Sequence, residues 1–270
     1  MAEPRSTTAA SPSWRITDRE GPGSPGAILA VDFAATGRAD AGFGQLVPQL
    51  GTGLALWETL VPPPGEEQGL TGEGYLDRWT AQLREGPQVA AVFGYCASSV
   101  FALALADRIG AWQAKPPVVL FDPTAINGPS VLRYGFGRVI DSLAAVLGAE
   151  AVAQARAEAA AATERTPELL PLTEEFLRIY RAAGQAAFEQ LGLGTDRAEE
   201  LVSWFRGYLH YVVAASSLSV SPDLTGVTTV RANDLPAGFL QAPRVLNFDV
   251  EHTGLLAHPE VARAVAELLA

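Results

Sequence analysis

Apolar residues fall along this chain in two rhythms that alternate and then stop alternating. Residues 27–33 (AILAVDF) form an unbroken apolar run, the pattern of a short strand covered on both faces. Over 42–50, Phe43, Leu46 and Val47 recur at helical spacing. Residues 54–60 read as a second strand, closed by Val61-Pro62-Pro63-Pro64, and 74–84 place Tyr75, Leu76, Trp79 and Leu83 on one helical side. A third apolar run, 89–93, passes at once into a helical pattern through Val100, Phe101, Leu103, Ala104 and Ile109, and 117–121 (PVVLF) is a fourth strand. Strands alternating with helices predict an α/β fold: a mostly parallel, doubly wound sheet with its site at the strands' C-terminal ends.

From about 125 to 223 the strand pattern disappears. Residues 131–147 are amphipathic, and 149–162 are rich in alanine and read as a solvated, loosely specified helix. Residues 173–191 carry Phe176, Leu177, Tyr180 and Phe188, and 197–218 carry Leu201, Trp204, Phe205, Leu209, Tyr211 and Val212. So long a helical stretch exceeds a connection and predicts a lid. Strands resume over 226–231 and 244–250, and 259–269 close the chain as a helix. The expected organisation is a disordered leader over 1–26, an α/β core over 27–124, a helical lid over 125–223 and the rest of the core over 224–270. Trp14 and Ile16 are the leader's candidates for local docking.

Composition narrows the function classes. A net charge of −11 without a Lys/Arg cluster argues against nucleic acid or an anionic membrane as partner. One cysteine excludes an internal disulfide and a cysteine-rich metal site. No apolar run approaches the roughly 20 residues that span a bilayer, and 1–26 lack a signal-peptide apolar core. The expectation is a cytoplasmic protein without metal, and no dinucleotide fingerprint is present; oligomeric state is open.

The lone cysteine sits at an informative place. Gly94-Tyr95-Cys96-Ala97-Ser98 lies between the third strand and its helix, a G-x-S-x-G nucleophile elbow with Cys in place of Ser. Such a turn lifts the central side chain above the sheet edge on strained backbone. The helix N-terminus beneath it is expected to lower the thiol's pKa and to favour an oxyanion. A lone cysteine is more often a buried structural thiol, but strand-turn-helix context makes Cys96 the candidate nucleophile.

A nucleophile here needs a base, and the base an orienting carboxylate. Of three histidines, His258 stands where it would cap the last helix and His210 lies mid-helix in the lid. His252 follows the last strand at once, level with Cys96, and is the candidate base. Asp122 ends the strand after the nucleophile's and is the candidate acid; Asp249 and Glu251 are nearer in sequence, but neighbours in extended chain point apart. The backbone N–H groups of Ala97 and Thr36 are the expected oxyanion donors. Tyr95, Trp204, Tyr211 and His210 are candidate substrate contacts.

These residues together carry a resemblance. The elbow, an Asp ending the next strand, a long helical insertion and a His before a C-terminal helix resemble the thioesterases of polyketide and peptide synthetases, over residues 27–270. Two positions depart from that pattern: Cys96 stands for Ser and Ser98 for Gly. A free-standing Cys-Asp-His chain with a long lid is similar to the Dieckmann cyclases that release tetramic acids and pyridones. The resemblance implies the α/β-hydrolase fold and a substrate delivered as a thioester on the phosphopantetheine arm of an acyl or peptidyl carrier protein, with no other cofactor. It also implies a Cys96 acyl-enzyme broken by carbon–carbon bond formation. The competing expectations are a hydrolytic type II thioesterase and a non-catalytic binding protein on the same fold.

Overall fold

A computed structural model describes residues 12–17, 26–33, 40–63, 65–192, 194–234, 240 and 242–270. Among the described residues seven strands form one sheet in the order β1-β3-β2-β4-β5-β6-β7. They are β1 (Trp14–Thr17), β2 (Ala27–Val31), β3 (Ala55–Thr59), β4 (Val89–Tyr95), β5 (Val118–Phe121), β6 (Val227–Arg231) and β7 (Arg244–Asn247). Every pairing is parallel except β1 with β3. β2 and β5 are buried at every position, which accounts for their unbroken apolar runs.

Helices cover both faces. α1 (Phe43–Leu50) and α9 (Pro259–Leu269) pack on one, where Phe43 stacks edge-on to Phe121 at 5.6 Å. α2 (Gly72–Thr80) and α3 (Ser99–Ile109) pack on the other. Between β5 and β6 the chain is helical: α4 (Gly128–Ser130), a π-helix (Val131–Phe136), α5 (Gly137–Ser142), α6 (Ala144–Arg165), α7 (Leu169–Gln190) and α8 (Thr195–Ser216). α8 joins them to the face covered by α2 and α3, because Tyr211 packs on Phe101, Tyr75 and Phe33 with centroids 4.8, 5.5 and 5.2 Å apart.

Two expectations need correction. The leader is not wholly without structure: β1 adds an antiparallel edge strand to β3. Trp14 is its anchor, buried between Trp57 and Trp79, with its indole N–H donating to the Trp79 carbonyl at 3.0 Å. One aromatic anchor and an Arg15–Glu58 ion pair at 2.8 Å hold four residues that alternation alone was too short to reveal. The alanine-rich segment is likewise not loosely solvated. Val152, Ala155, Ala159 and Ala162 are buried along one side of α6, where small side chains let α7 approach closely. Gly148, at φ +79°, breaks α6 before that side begins.

Candidate active site

β4 ends at Tyr95, and Cys96 turns the chain at φ +51° into a single 3₁₀ turn, Cys96–Ser98, that opens α3. A left-handed non-glycine residue costs on the order of 1–3 kcal/mol, so surrounding structure must hold it there. Gly94 is part of that hold: a Cβ on it would lie 2.6 Å from Ala102 Cβ and 3.0 Å from Ser99 Cα. Strand and helix meet too closely for any side chain. At the elbow's other small position Ser98 does something a glycine could not. Its buried hydroxyl accepts a 2.9 Å hydrogen bond from Tyr211 Oη and so ties α8 to the turn.

The sheet edge brings the two other candidates together. Asp122, directly after β5 and itself at φ +47°, accepts from His252 Nδ1 at 2.7 Å through Oδ2 and from the Ala232 N–H at 2.8 Å through Oδ1. His252 begins the 3₁₀ segment His252–Ala257, and its backbone N–H donates to Asp234 Oδ1 at 2.9 Å. Both side chains are buried. With Nδ1–H donated to the carboxylate, the neutral imidazole presents Nε2 as an acceptor. Tyr95 Oη lies 2.9 Å from that nitrogen and 3.2 Å from the His252 carbonyl, with its ring stacked on the imidazole at 4.8 Å and 14°. The tyrosine's one hydroxyl proton is therefore shared between the His252 carbonyl and the nitrogen a thiol would have to use. Among the described residues the hydrogen bond of Cys96 Sγ goes instead to Thr124 Oγ1, at 3.5 Å, and none joins it to His252.

The thiol's electrostatics differ from expectation. Burial pushes the Cys96 thiol up, and this outweighs the Thr124 hydroxyl, the Ala97 N–H and the Arg138 charge, which favour the thiolate. Asp32, at the end of β2, adds to the rise. Removal from water is the largest of these effects. Cys96 thus rests as a thiol, and Thr124, whose hydroxyl is 3.2 Å from the Asp122 carbonyl, accepts its S–H.

The remaining candidates fall in different places. The Ala97 N–H favours the Cys96 thiolate, as an oxyanion donor there would. Thr36 lies outside the described residues. Tyr95 and Tyr211 are buried with their hydroxyls on His252 and Ser98, so they serve protein partners instead of an open pocket. Trp204 packs on Phe33 at 5.9 Å, and His210 is half-buried on α8. His258 stands at the N-cap of α9, before Pro259, without a capping side-chain bond. Among the described residues no group of three His, Cys, Asp or Glu could hold a metal, and no helix is long and apolar enough to cross a membrane.

Thr124, Arg138, Asp32 and Tyr208 join the site without having been singled out in the sequence. Tyr208 is seated by Gly135 in the π-helix, where a Cβ would stand 2.6 Å from the tyrosine ring. Burial pushes the Tyr208 hydroxyl up, and a thiolate formed at Cys96 would push it further. A helical period of 3.6 places Tyr208 beside Tyr211 on α8, but nothing in a sequence announces the π-turn that receives it.

No protein-family model matches the chain, and no curated protein does. Solved structures do match. A NocB thioesterase domain in covalent complex with a fluorophosphonate nocardicin G analog is similar over 95% of this chain and 99% of its own, with 16% identity and a TM-score of 0.52. The Vlm2 thioesterase domain, carrying 2,3-diaminopropionic acid and bound with a dodecadepsipeptide, is similar over 94% of this chain and 96% of its own, with 14% identity and a TM-score of 0.50. The fold is that of the α/β-hydrolases. In that fold Cys96, Asp122 and His252 stand at the ends of β4 and β5 and just beyond β7, on one edge of the sheet.

Proposed function

We propose that this protein releases acyl chains from carrier-protein thioesters through a Cys96 acyl-enzyme, and that release is a Dieckmann cyclisation yielding a tetramic acid or pyridone. The observation that carries the reading is a cysteine on a left-handed elbow beside a buried Asp122–His252 pair at 2.7 Å. That arrangement supplies a nucleophile, a base with its tautomer fixed, and an N–H at Ala97 for the oxyanion.

The reaction starts with the His252 ring giving up its Tyr95 hydrogen bond so that Nε2 faces Cys96. Nε2 takes the S–H proton, and the thiolate adds to the thioester carbonyl. The oxyanion accepts from the Ala97 N–H. Collapse expels the carrier's thiolate, which recovers the proton from the imidazolium, and the acyl group is left on Cys96. In the second half the β-ketoamide α-carbon loses a proton to Nε2 and attacks the acyl carbonyl. The ring closes, the Cys96 thiolate leaves, and the imidazolium reprotonates it. One C–C bond forms as the C–S bond breaks, with no oxidant or further cofactor.

Cysteine suits this sequence. Exchange of one thioester for another is nearly isoenergetic, and a thioester is a better electrophile for carbon than the oxoester a serine would form. Tyr208, a neighbour of Cys96, packs on Phe33, which packs on Trp204, and this aromatic cover disfavours water as the second nucleophile. The partner this implies is an acyl or peptidyl carrier protein. Incubation with a synthetic N-(β-ketoacyl)aminoacyl thioester, followed by mass spectrometry, tests the assignment. A Cys96-dependent product equal to substrate minus thiol supports ring closure. A product heavier by one water makes the protein a hydrolytic thioesterase.

A further inference from the structure

Against Asp234, the residue that accepts the His252 N–H, lies a cavity of about 580 Å³ with no triad residue in its lining. Arg133 and Tyr134 of the π-helix, Arg138 of α5, Arg156 of α6 and Asp234 after β6 line it. Three guanidinium groups around one opening run against a chain with 30 acidic and 19 basic side chains. Two are held in place by carboxylates. Arg156 donates through Nε, at 2.9 Å, and Nη2 to Asp141, and Arg138 donates through Nη1 to Asp40. A guanidinium carries five N–H donors in a fixed fork, so each keeps donors beyond its structural pair. Arg133 lies over the Tyr134 ring at 5.3 Å and has no carboxylate partner among the described residues. Asp234 is already engaged, accepting the His252 N–H at 2.9 Å.

Fixed N–H donors are what a compact oxyanion needs, since bidentate guanidinium forks match carboxylate and phosphate oxygens. With Asp40, Asp141 and Asp234 balancing the three arginines in charge, recognition rests on the free donors and on Arg133, which no ion pair among the described residues ties down. The cavity's position gives that oxyanion a purpose. Its Asp234 wall also holds the base, and Arg138 is near enough to favour the Cys96 thiolate. We propose that this cleft binds an oxyanion carried by the substrate, either the phosphate of the pantetheine arm or a carboxylate on the acyl chain. The assignment rests on the carrier-thioester reading for the identity of the molecule that brings the anion, and on the arginine geometry for the site itself.

Calorimetric titration of the intact protein with two matched pairs of unreactive ligands separates the sources. The first pair is 4′-phosphopantetheine and pantetheine; the second is monomethyl glutarate and its neutral dimethyl ester. The anionic member of at least one pair is expected to bind about tenfold more tightly than its neutral partner. Arg133→Gln should remove that preference, and Arg133→Lys should keep part of it. A preference in the first pair places the anion on the arm, and one in the second places it on the acyl chain. Arg133 is exposed, so an unchanged melting temperature is the control for folding; Arg156→Gln is the second variant. Equal binding within both pairs, or a preference that survives both glutamine variants, overturns the proposal. Anion binding without any thioester turnover would leave this site standing and sink the proposed function; turnover without anion preference would do the reverse.

Discussion

Tyr95→Phe isolates one hydroxyl. The phenyl ring still stacks on His252, at 4.8 Å, but the 2.9 Å donor to Nε2 is gone. In the resting protein that bond must break before Nε2 can reach Cys96. A net intramolecular hydrogen bond is worth about 1 kcal/mol, or about a fivefold factor in an equilibrium. Removing it frees the imidazole to take the S–H proton and raises the population of the thiolate–imidazolium pair. Iodoacetamide should then alkylate Cys96 about three- to tenfold faster below pH 8 in the variant, on the same energy scale. Loss of a buried bond should also lower the melting temperature, by about 2–4 °C for a chain of this size. Stopped alkylation with mass readout gives the first number and calorimetry the second. An alkylation rate that is unchanged or slower refutes the view that Tyr95 holds the base away from the thiol.

Burial raises the Cys96 thiol, so its alkylation against pH should show a midpoint above the roughly 8.5 of an exposed cysteine. A group whose folded pKa is raised stabilises the fold fully below its unfolded value and loses that contribution as pH climbs through the folded one. Denaturant midpoints from neutral to alkaline pH should therefore fall more steeply for the wild type than for Cys96→Ala. Ser98→Gly strands the buried Tyr211 hydroxyl and should cost about 1–3 kcal/mol in urea unfolding; a neutral result would mean α8 is not tied to the elbow through that bond. Asp122→Asn removes the acceptor that fixes the His252 tautomer, and thioester turnover should drop by on the order of 10⁴ while the acyl donor's binding is kept.

Strands buried on both faces announce themselves, and so β2, β4 and β5 were legible as apolar runs, as was α9 between Pro259 and the chain's end. Once strand ends are placed, Cys96, Asp122 and His252 follow, because a parallel sheet puts its strand C-termini on one edge. What stayed hidden depends on contacts between distant segments. β1 rests on Trp14 meeting Trp57 and Trp79. The burial of α6 rests on alanines, which carry the same composition whether they face solvent or α7. The bond from Tyr95 to His252 joins residues 157 apart, and neither neighbourhood hints at the other. The rise in the thiol's pKa sets desolvation against Thr124, the Ala97 N–H and Arg138, and burial by distant segments is not written in the elbow's own residues. The arginine cleft gathers side chains from the π-helix, α5 and α6 that are scattered in the chain.

The central claim is that Cys96 carries the acyl group. Rapid-quench intact-protein mass spectrometry on an N-(β-ketoacyl)aminoacyl thioester measures this directly, with peptide mapping to place the adduct. An adduct equal in mass to the acyl group, mapped to Cys96, formed within one turnover and missing from Cys96→Ala, is the predicted result. Product formed at the wild-type rate by Cys96→Ala, or an acyl group mapped to any other residue, would contradict it.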